Sequence, residues 1–245
     1  MSWGWVTPFA EKRRRLVEEL LRLGVIRSER VARALLRVPR HLFVPPDMAE
    51  AAYEDRPLPI GRGQTISAPS VVARMTELLN PQLGEKALEV GTGSGYQAAV
   101  LAELVAPSDA PRGSWGHVWS VERIPQLAGQ ARRNLEAAGY SERVTVVVGD
   151  GTRGYPPAAP YHRIIVTAAA PRVPEPLLDQ LAPGGRLVAP VGPPTGQRIV
   201  VVEKAPNGTT RTWEDIEVLF VPLLGEHGYS EEEWIKSNSR WPSHI

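Results

Sequence analysis

Residues 87–96 read ALEVGTGSGY, and this stretch does most to limit what the chain can fold into. Ala87, Leu88 and Val90 form a short apolar run that ends in three glycines at alternate positions, Gly91, Gly93 and Gly95. Beyond them Ala98, Ala99, Leu101, Ala102, Leu104 and Val105 recur with helical spacing. The pattern predicts a strand, a tight turn and a helix. Without a Cβ the turn can take backbone conformations closed to other residues, and a ligand can lie directly on it, beside the positive end of the helix. The G-x-G-x-G spacing is neither the G-x-G-x-x-G of dinucleotide folds nor the phosphate loop G-x-x-x-x-G-K-[ST], and no lysine follows to hold a terminal phosphate. With Glu89 just before the glycines, the turn, with Thr92 inside it, suits a ligand that carries hydroxyls and a positive charge. S-adenosylmethionine has both. A plain strand-to-helix turn without a ligand is the alternative.

The chain has 245 residues, enough for one large domain or two small ones. A net charge of +1 makes no case for nucleic acid or an anionic membrane as partner. The absence of cysteine removes disulfides, thiolate metal ligands and a cysteine nucleophile. His41, His117, His162, His227 and His244 show no H-x-x-x-H spacing, so no metal is expected. No early stretch combines a basic region, a long apolar run and a cleavage site, and the expected location is the cytoplasm. Lysine stands only at Lys12, Lys86, Lys204 and Lys236, and there are 24 prolines. Such a bias fits a thermophile and equally a GC-rich genome.

From the start, Thr7 and Pro8 suit a helix N-terminus, with Leu16, Val17, Leu20, Leu21 and Leu23 as its apolar stripe and Gly24 as its stop. Arg13, Arg14 and Arg15 read as a solvated face of that helix. Ser28 can cap a second helix carrying Val31, Leu35 and Leu36, which must stop before Pro39. Residues 38–69 are proline-rich without clear periodicity and are expected to be a long functional loop. Its end, GQTISAP over residues 63–69, leads into a helix with Pro69 at its first position and Val72, Met75, Leu78 and Leu79 along it. Hydroxyls and backbone N–H groups gathered there can bind a carboxylate. Ordinary capping by Ser67 or Thr65 is the simpler reading of the same residues.

Residues 117–122 read as the second strand of the core. Glu122 at its end is placed to accept the two hydroxyls of a ribose. A helix follows from Pro125 to about Ala138, closed by Gly139. Residues 144–148 are apolar throughout, as in a buried parallel strand. They end in Gly149, Asp150 and Gly151, where an acid can accept an adenine amino group between glycines that clear space for the ring. Residues 161–167 form the next strand, and the small Ala168, Ala169 and Ala170 after it leave room for a substrate or for close helix packing. Then come a short helix at 174–181, a turn at 183–185 and strands at 186–191 and 199–203. A hairpin at Asn207 and Gly208 returns along 213–220. Ser230 with Glu233 makes a capping box. The expected fold is α/β: a doubly wound, mostly parallel sheet of about seven strands, with N-terminal helices and a C-terminal extension. One domain spans 1–245, made of helices and loop (1–69), a Rossmann-like core (70–224) and a tail (225–245).

The glycine turn followed by Glu122 and then Asp150 resembles the class I S-adenosylmethionine-dependent methyltransferases. Six further elements narrow the resemblance: residues 63–69, the turn extended through Ala99, residues 149–151, 165–171, 183–187 and 220–223. Together with VPR at 38–40 and FVP at 43–45, they look like the protein-L-isoaspartate O-methyltransferases, over about Leu16 to Leu224. The resemblance implies transfer of the donor's methyl group to the α-carboxyl of L-isoaspartyl residues in damaged proteins, with S-adenosylhomocysteine as product and no metal, nucleic acid or membrane involved. It implies a monomer. It places Ser67 as the catalytic residue that orients the substrate carboxylate, with Ala169 and Val221 beside the substrate. Gln64, Thr65 and Ile66 line the site, while Glu89, Gly91, Thr92, Gly93, Glu122, Asp150 and Gly151 hold the donor. The rival readings are a methyltransferase of the same fold for another substrate and a non-catalytic donor-binding module. Trp3, Trp5 and the tail with Trp234 and Trp241 fall outside the resemblance; the tail could pack on the core, cover a groove or join copies.

Overall fold

The computed structural model describes residues 8–238. Thr7, Trp3, Trp5 and Trp241 lie outside the described residues. Helix α1 (Pro8–Arg22) starts at Pro8 and turns only Val17 and Leu20 fully inward. Its outer face carries ion pairs of Arg14 and Arg15 with Glu11 and of Arg14 with Glu18, as a solvated basic face should. Ser28 caps α2 (Glu29–Arg37) by accepting the Val31 N–H.

Residues 38–69 are more structured than their sequence suggests. They hold two short 3-10 helices, Arg40–Phe43 and Pro46–Ala51, then a hairpin of β1 (Leu58–Gly61) and β2 (Gln64–Ile66). The hairpin turns through three consecutive left-handed residues, Gly61, Arg62 and Gly63. Prolines and a strand of three residues hid these elements, because neither gives a periodic signal long enough to read.

The main sheet has the order β5-β4-β3-β6-β7-β8-β9. β3 (Lys86–Val90), β4 (His117–Glu122), β5 (Val144–Val148), β6 (Tyr161–Val166) and β7 (Leu181–Val191) run parallel, while β8 (Gln197–Lys204) and β9 (Thr210–Val218) close one side antiparallel. Helices α3 (Pro69–Leu79), α4 (Tyr96–Val105), α5 (Pro125–Ala137) and α6 (Glu175–Asp179) precede or link the parallel strands. The central strands are apolar on both faces. Ala87 and Ile165 pack into one core layer with the N-terminal helices, and Leu88, Val90, Ile164 and Val166 pack into the other. Every residue of α4 is buried because α2 covers its outer side.

Two expectations change in detail. β5 is an edge strand, and Val148 is 44% exposed; its apolar run reflects β-branched propensity, not burial on both faces. Residues 183–185 do not turn the chain. Pairing of β6 with β7 jumps from Tyr161–Leu181 to Arg163–Arg186, so these residues form a bulge inside β7, with Gly184 at φ 76°.

The chain winds from β3 outward to β4 and β5, then crosses back to β6 on the other side of β3. β3 and β6 therefore flank the point where the winding reverses, and a crevice opens there at the carboxyl ends of the strands.

Candidate active site

The glycine turn after β3 lies in that crevice. Gly91 and Gly93 have φ of 99° and 52°. A Cβ on Gly91 would stand 2.5 Å from Thr167 Oγ1, so the position excludes side chains on grounds of both space and backbone conformation. The Thr167 hydroxyl donates to the carbonyls of Gly91 (2.6 Å) and Val90 (3.1 Å) and ties the turn to the end of β6. From the other side the hairpin closes in: a Cβ on Gly93 would meet Ile60 at 3.3 Å. The result is an open cleft walled by the hairpin, the glycine turn and the ends of β3 and β4.

Its floor is acidic. Glu89 is fully buried at the end of β3. The Ser120 hydroxyl donates to its Oε2 and is itself 2.5 Å from the Thr92 hydroxyl, while Glu89 Oε1 has no partner among the described residues. Burial pushes the Glu89 carboxyl up to about 8, against the opposing hydrogen bond from Ser120, and the nearby Glu122 charge adds to the rise. Glu122, at the end of β4, accepts the N–H of Gly93 on Oε2 and the N–H of Ile124 on Oε1, both at 2.9 Å. It braces the glycine turn while remaining on the cleft wall.

Ser67 does not cap α3. The residue at the cap position is Ala68, with no side-chain hydrogen bond; the Ser70 N–H is taken by Asp55 Oδ1 at 2.8 Å, from a different loop. Asp55 thus performs the capping, and the Ser67 hydroxyl makes no hydrogen bond among the described residues. A second groove runs between the start of α3 and residues 217–221. Thr65, Ser67, Thr167, Phe220 and Val221 line both this groove and the cleft. Ser67 therefore stands where the two spaces join.

Gln64, Thr65, Ile66, Glu89, Gly91, Thr92, Gly93, Glu122, Gly151 and Val221 all line the cleft. Asp150 and Ala169 do not. The Asp150 carboxylate accepts the Thr152 N–H (2.9 Å) and hydroxyl (2.6 Å) on Oδ1 and the Glu226 N–H (2.9 Å) on Oδ2. Burial opposes ionisation there, yet these donors hold the carboxyl below its ordinary value. Ala169 is fully buried; its N–H donates to the Val221 carbonyl and its own carbonyl accepts the Leu223 N–H, both at 2.7 Å. It holds the 221–223 backbone in place behind the wall. The tail also packs here. His227 N–H donates to Thr152 Oγ1, Glu226 pairs with Arg153, and Glu231 reaches Arg123 on the cleft rim at 3.6 Å.

Sequence reading did not single out Ser120 or Thr167 as site residues. Ser120 carried a signal, a polar residue inside an otherwise apolar strand. Thr167 carried none, since its contact with Gly91 spans 76 positions. Among the described residues no group of three potential ligands could hold a metal ion, and no helix is long and apolar enough to cross a membrane.

Sheet order, glycine turn at the reversal point and buried acids beside it define the Rossmann-like methyltransferase fold. A solved structure described as a beta-aspartate methyltransferase (PCMT) from Plasmodium falciparum in complex with S-adenosyl-L-homocysteine superposes with a TM-score of 0.75 at 26% identity, over 85% of this chain and 96% of that one. The family described as Protein-L-isoaspartate(D-aspartate) O-methyltransferase (PCMT) matches residues 11–228. Relatives named Protein-L-isoaspartate O-methyltransferase include one from Hyperthermus butylicus, 62% identical over 92% of this chain and 93% of its own length. Another, from Aeropyrum pernix, is 58% identical over 98% of this chain and 91% of its own length. The chain belongs to the protein-L-isoaspartate(D-aspartate) O-methyltransferase family.

Proposed function

We propose that the protein transfers the methyl group of S-adenosylmethionine to the α-carboxyl of L-isoaspartyl residues in damaged proteins and peptides. The observation that carries this reading is the position of Ser67, with an unengaged hydroxyl at the junction of the glycine-turn cleft and the second groove. The cleft fits the donor. Glu89 Oε1, buried and without a partner, is completed by a cationic group, and such a charge favours the ionised carboxylate. Glu122 has lone pairs left for ribose hydroxyls, and Gly151 leaves the wall flat.

Bound S-adenosylmethionine supplies a methyl carbon on a sulfonium, whose S–C bond breaks as the substrate oxygen takes the carbon. The residues need only aim and exclude water. A carboxylate is already ionised at neutral pH, so no general base is required. The wall residues agree: neither space is lined by histidine, lysine or cysteine. Ser67 donates its hydroxyl proton in a hydrogen bond to one carboxylate oxygen and leaves the other pointing into the cleft. Val221, held by Ala169, offers main-chain groups to the substrate backbone. Orientation of this kind supplies much of the rate acceleration when two reactants are brought together.

The test is incubation with methyl-labelled S-adenosylmethionine and two peptides that differ only in an isoaspartyl or an aspartyl linkage. Base-labile label on the isoaspartyl peptide alone is the expected result. Label on neither peptide, with the donor still bound, would leave a binding module; label on both would assign a different substrate preference.

A further inference from the structure

Arg40 is the largest fully buried side chain of the described residues, at 0% exposure. Burial disfavours its charged form and holds its pKa below the ordinary value. No carboxylate forms an ion pair with it among the described residues, and Nη1 is buried without a partner. A guanidinium in such a place is expensive, and an apolar side chain of similar volume would avoid the cost. What only arginine supplies is geometry. Nε donates to the Ala52 carbonyl at 2.7 Å and Nη2 to the Ser67 carbonyl at 2.8 Å. The central carbon of the guanidinium lies over the Tyr96 ring, 4.7 Å from its centre. Tyr96 opens α4 directly behind the glycine turn and lines the cleft. One buried fork therefore spans the loop before β1, the peptide of Ser67 and the helix that carries the glycine turn.

We propose that Arg40 is a positioning residue for methyl transfer, fixing Ser67 at a set distance from the glycine turn by gripping the Ser67 carbonyl while its guanidinium rests over the Tyr96 ring. This rests on the function proposed above. Asp55 secures the other side of the same chain segment through Ser70, so the Ser67 peptide is held between a cation behind it and a capped helix ahead of it. With its backbone held this way, the hydroxyl has no structural duty and is left to the substrate. Lysine cannot replace the group, because its single ammonium lacks the planar fork needed to reach both carbonyls and lie on the ring. Loss of the grip displaces Ser67, and misplacement of about 1 Å costs on the order of a hundredfold in rate.

The test is a double-mutant cycle of wild type, Ser67→Ala, Arg40→Lys and the double variant, assayed on an isoaspartyl peptide well below the unfolding midpoint of each. Arg40→Lys is expected to lower kcat at least tenfold at saturating donor, with S-adenosylhomocysteine affinity by calorimetry changed less than twofold. The double variant is expected to be no slower than the worse single variant within twofold, since Arg40 acts through Ser67. Losses that multiply, a kcat for Arg40→Lys within twofold of wild type, or an unimpaired Ser67→Ala would each overturn the proposal. Should Arg40→Lys not fold, Arg40→Met takes its place in the cycle; failure of both to fold would assign Arg40 to stability alone and also overturn it. A wild-type protein that leaves the peptide unlabelled would instead refute the function on which the proposal rests.

Discussion

Glu89 is a carboxyl group held where a charge is costly, and this has a measurable consequence. In the unfolded chain it gives up its proton near 4.5, whereas in the ligand-free fold it does so only at about 8. Between those values the native state binds more protons than the unfolded one, so stability falls as pH rises. The slope approaches that of one proton, about 1.4 kcal/mol per pH unit. Glu89→Gln removes this term. Thermal midpoints measured from pH 4.5 to 8 should show the variant gaining steadily on wild type as pH rises; parallel curves would contradict the assignment. The residues legible in the sequence were those whose chemistry is local. Gly91 and Gly93 announce a turn, and Glu122 announces itself by ending a strand. Ser67 was legible only as one of two readings, cap or carboxylate holder, because the Asp55 side chain that relieves it of capping lies 15 positions from Ser70. Arg40 was invisible as a site residue, since nothing in a proline-rich segment says that an arginine will be buried.

The elements that carry the site differ in how much support each can spare. β3, the glycine turn and α4 are locked by the flanking strands and by α2. The tail is different. Its described part is anchored through Asp150, Thr152 and Arg153, through Arg123, and through the Tyr229 hydroxyl on the Gly192 carbonyl. The Trp234 ring sits tilted against Tyr229, with ring centres 5.4 Å apart, and packs on the core. Of the three expectations for the tail, packing on the core is what the described residues show. Arg123 is itself a cleft residue, as is Leu224, whose backbone bridges to Tyr229 of the tail. Ending the chain after Leu224 should therefore weaken S-adenosylhomocysteine binding by about tenfold, or ~1.4 kcal/mol, as the rim loses its bracing. Calorimetry on the shortened chain reads this directly, and unchanged affinity would reduce the tail to a stability element. Helices and strands with strong periodicity were well bounded from their residues, while the elements within 38–69 were not. There the elements are three to six residues long, too short to show a period.

At the scale of the whole molecule, the doubly wound class was legible because strands and helices alternate, and alternation with short links forces parallel pairing. Strand order was not. Nothing local in Tyr161–Val166 says that the chain crosses back beside β3 after β5, yet this reversal opens the crevice. It also brings Thr167, Ser67 and Val221 to one place from three distant parts of the sequence. The central claim is that this meeting point aligns an anionic carboxylate with a cationic methyl donor and leaves the chemistry to geometry. The most direct measurement is a crystal structure with S-adenosylhomocysteine and an isoaspartyl peptide bound together. It should show the ligand sulfur in the cleft above Gly91 and Gly93, and a substrate α-carboxylate oxygen within about 3 Å of Ser67 Oγ. A carboxylate held away from Ser67, or a sulfur directed away from the second groove, would contradict it.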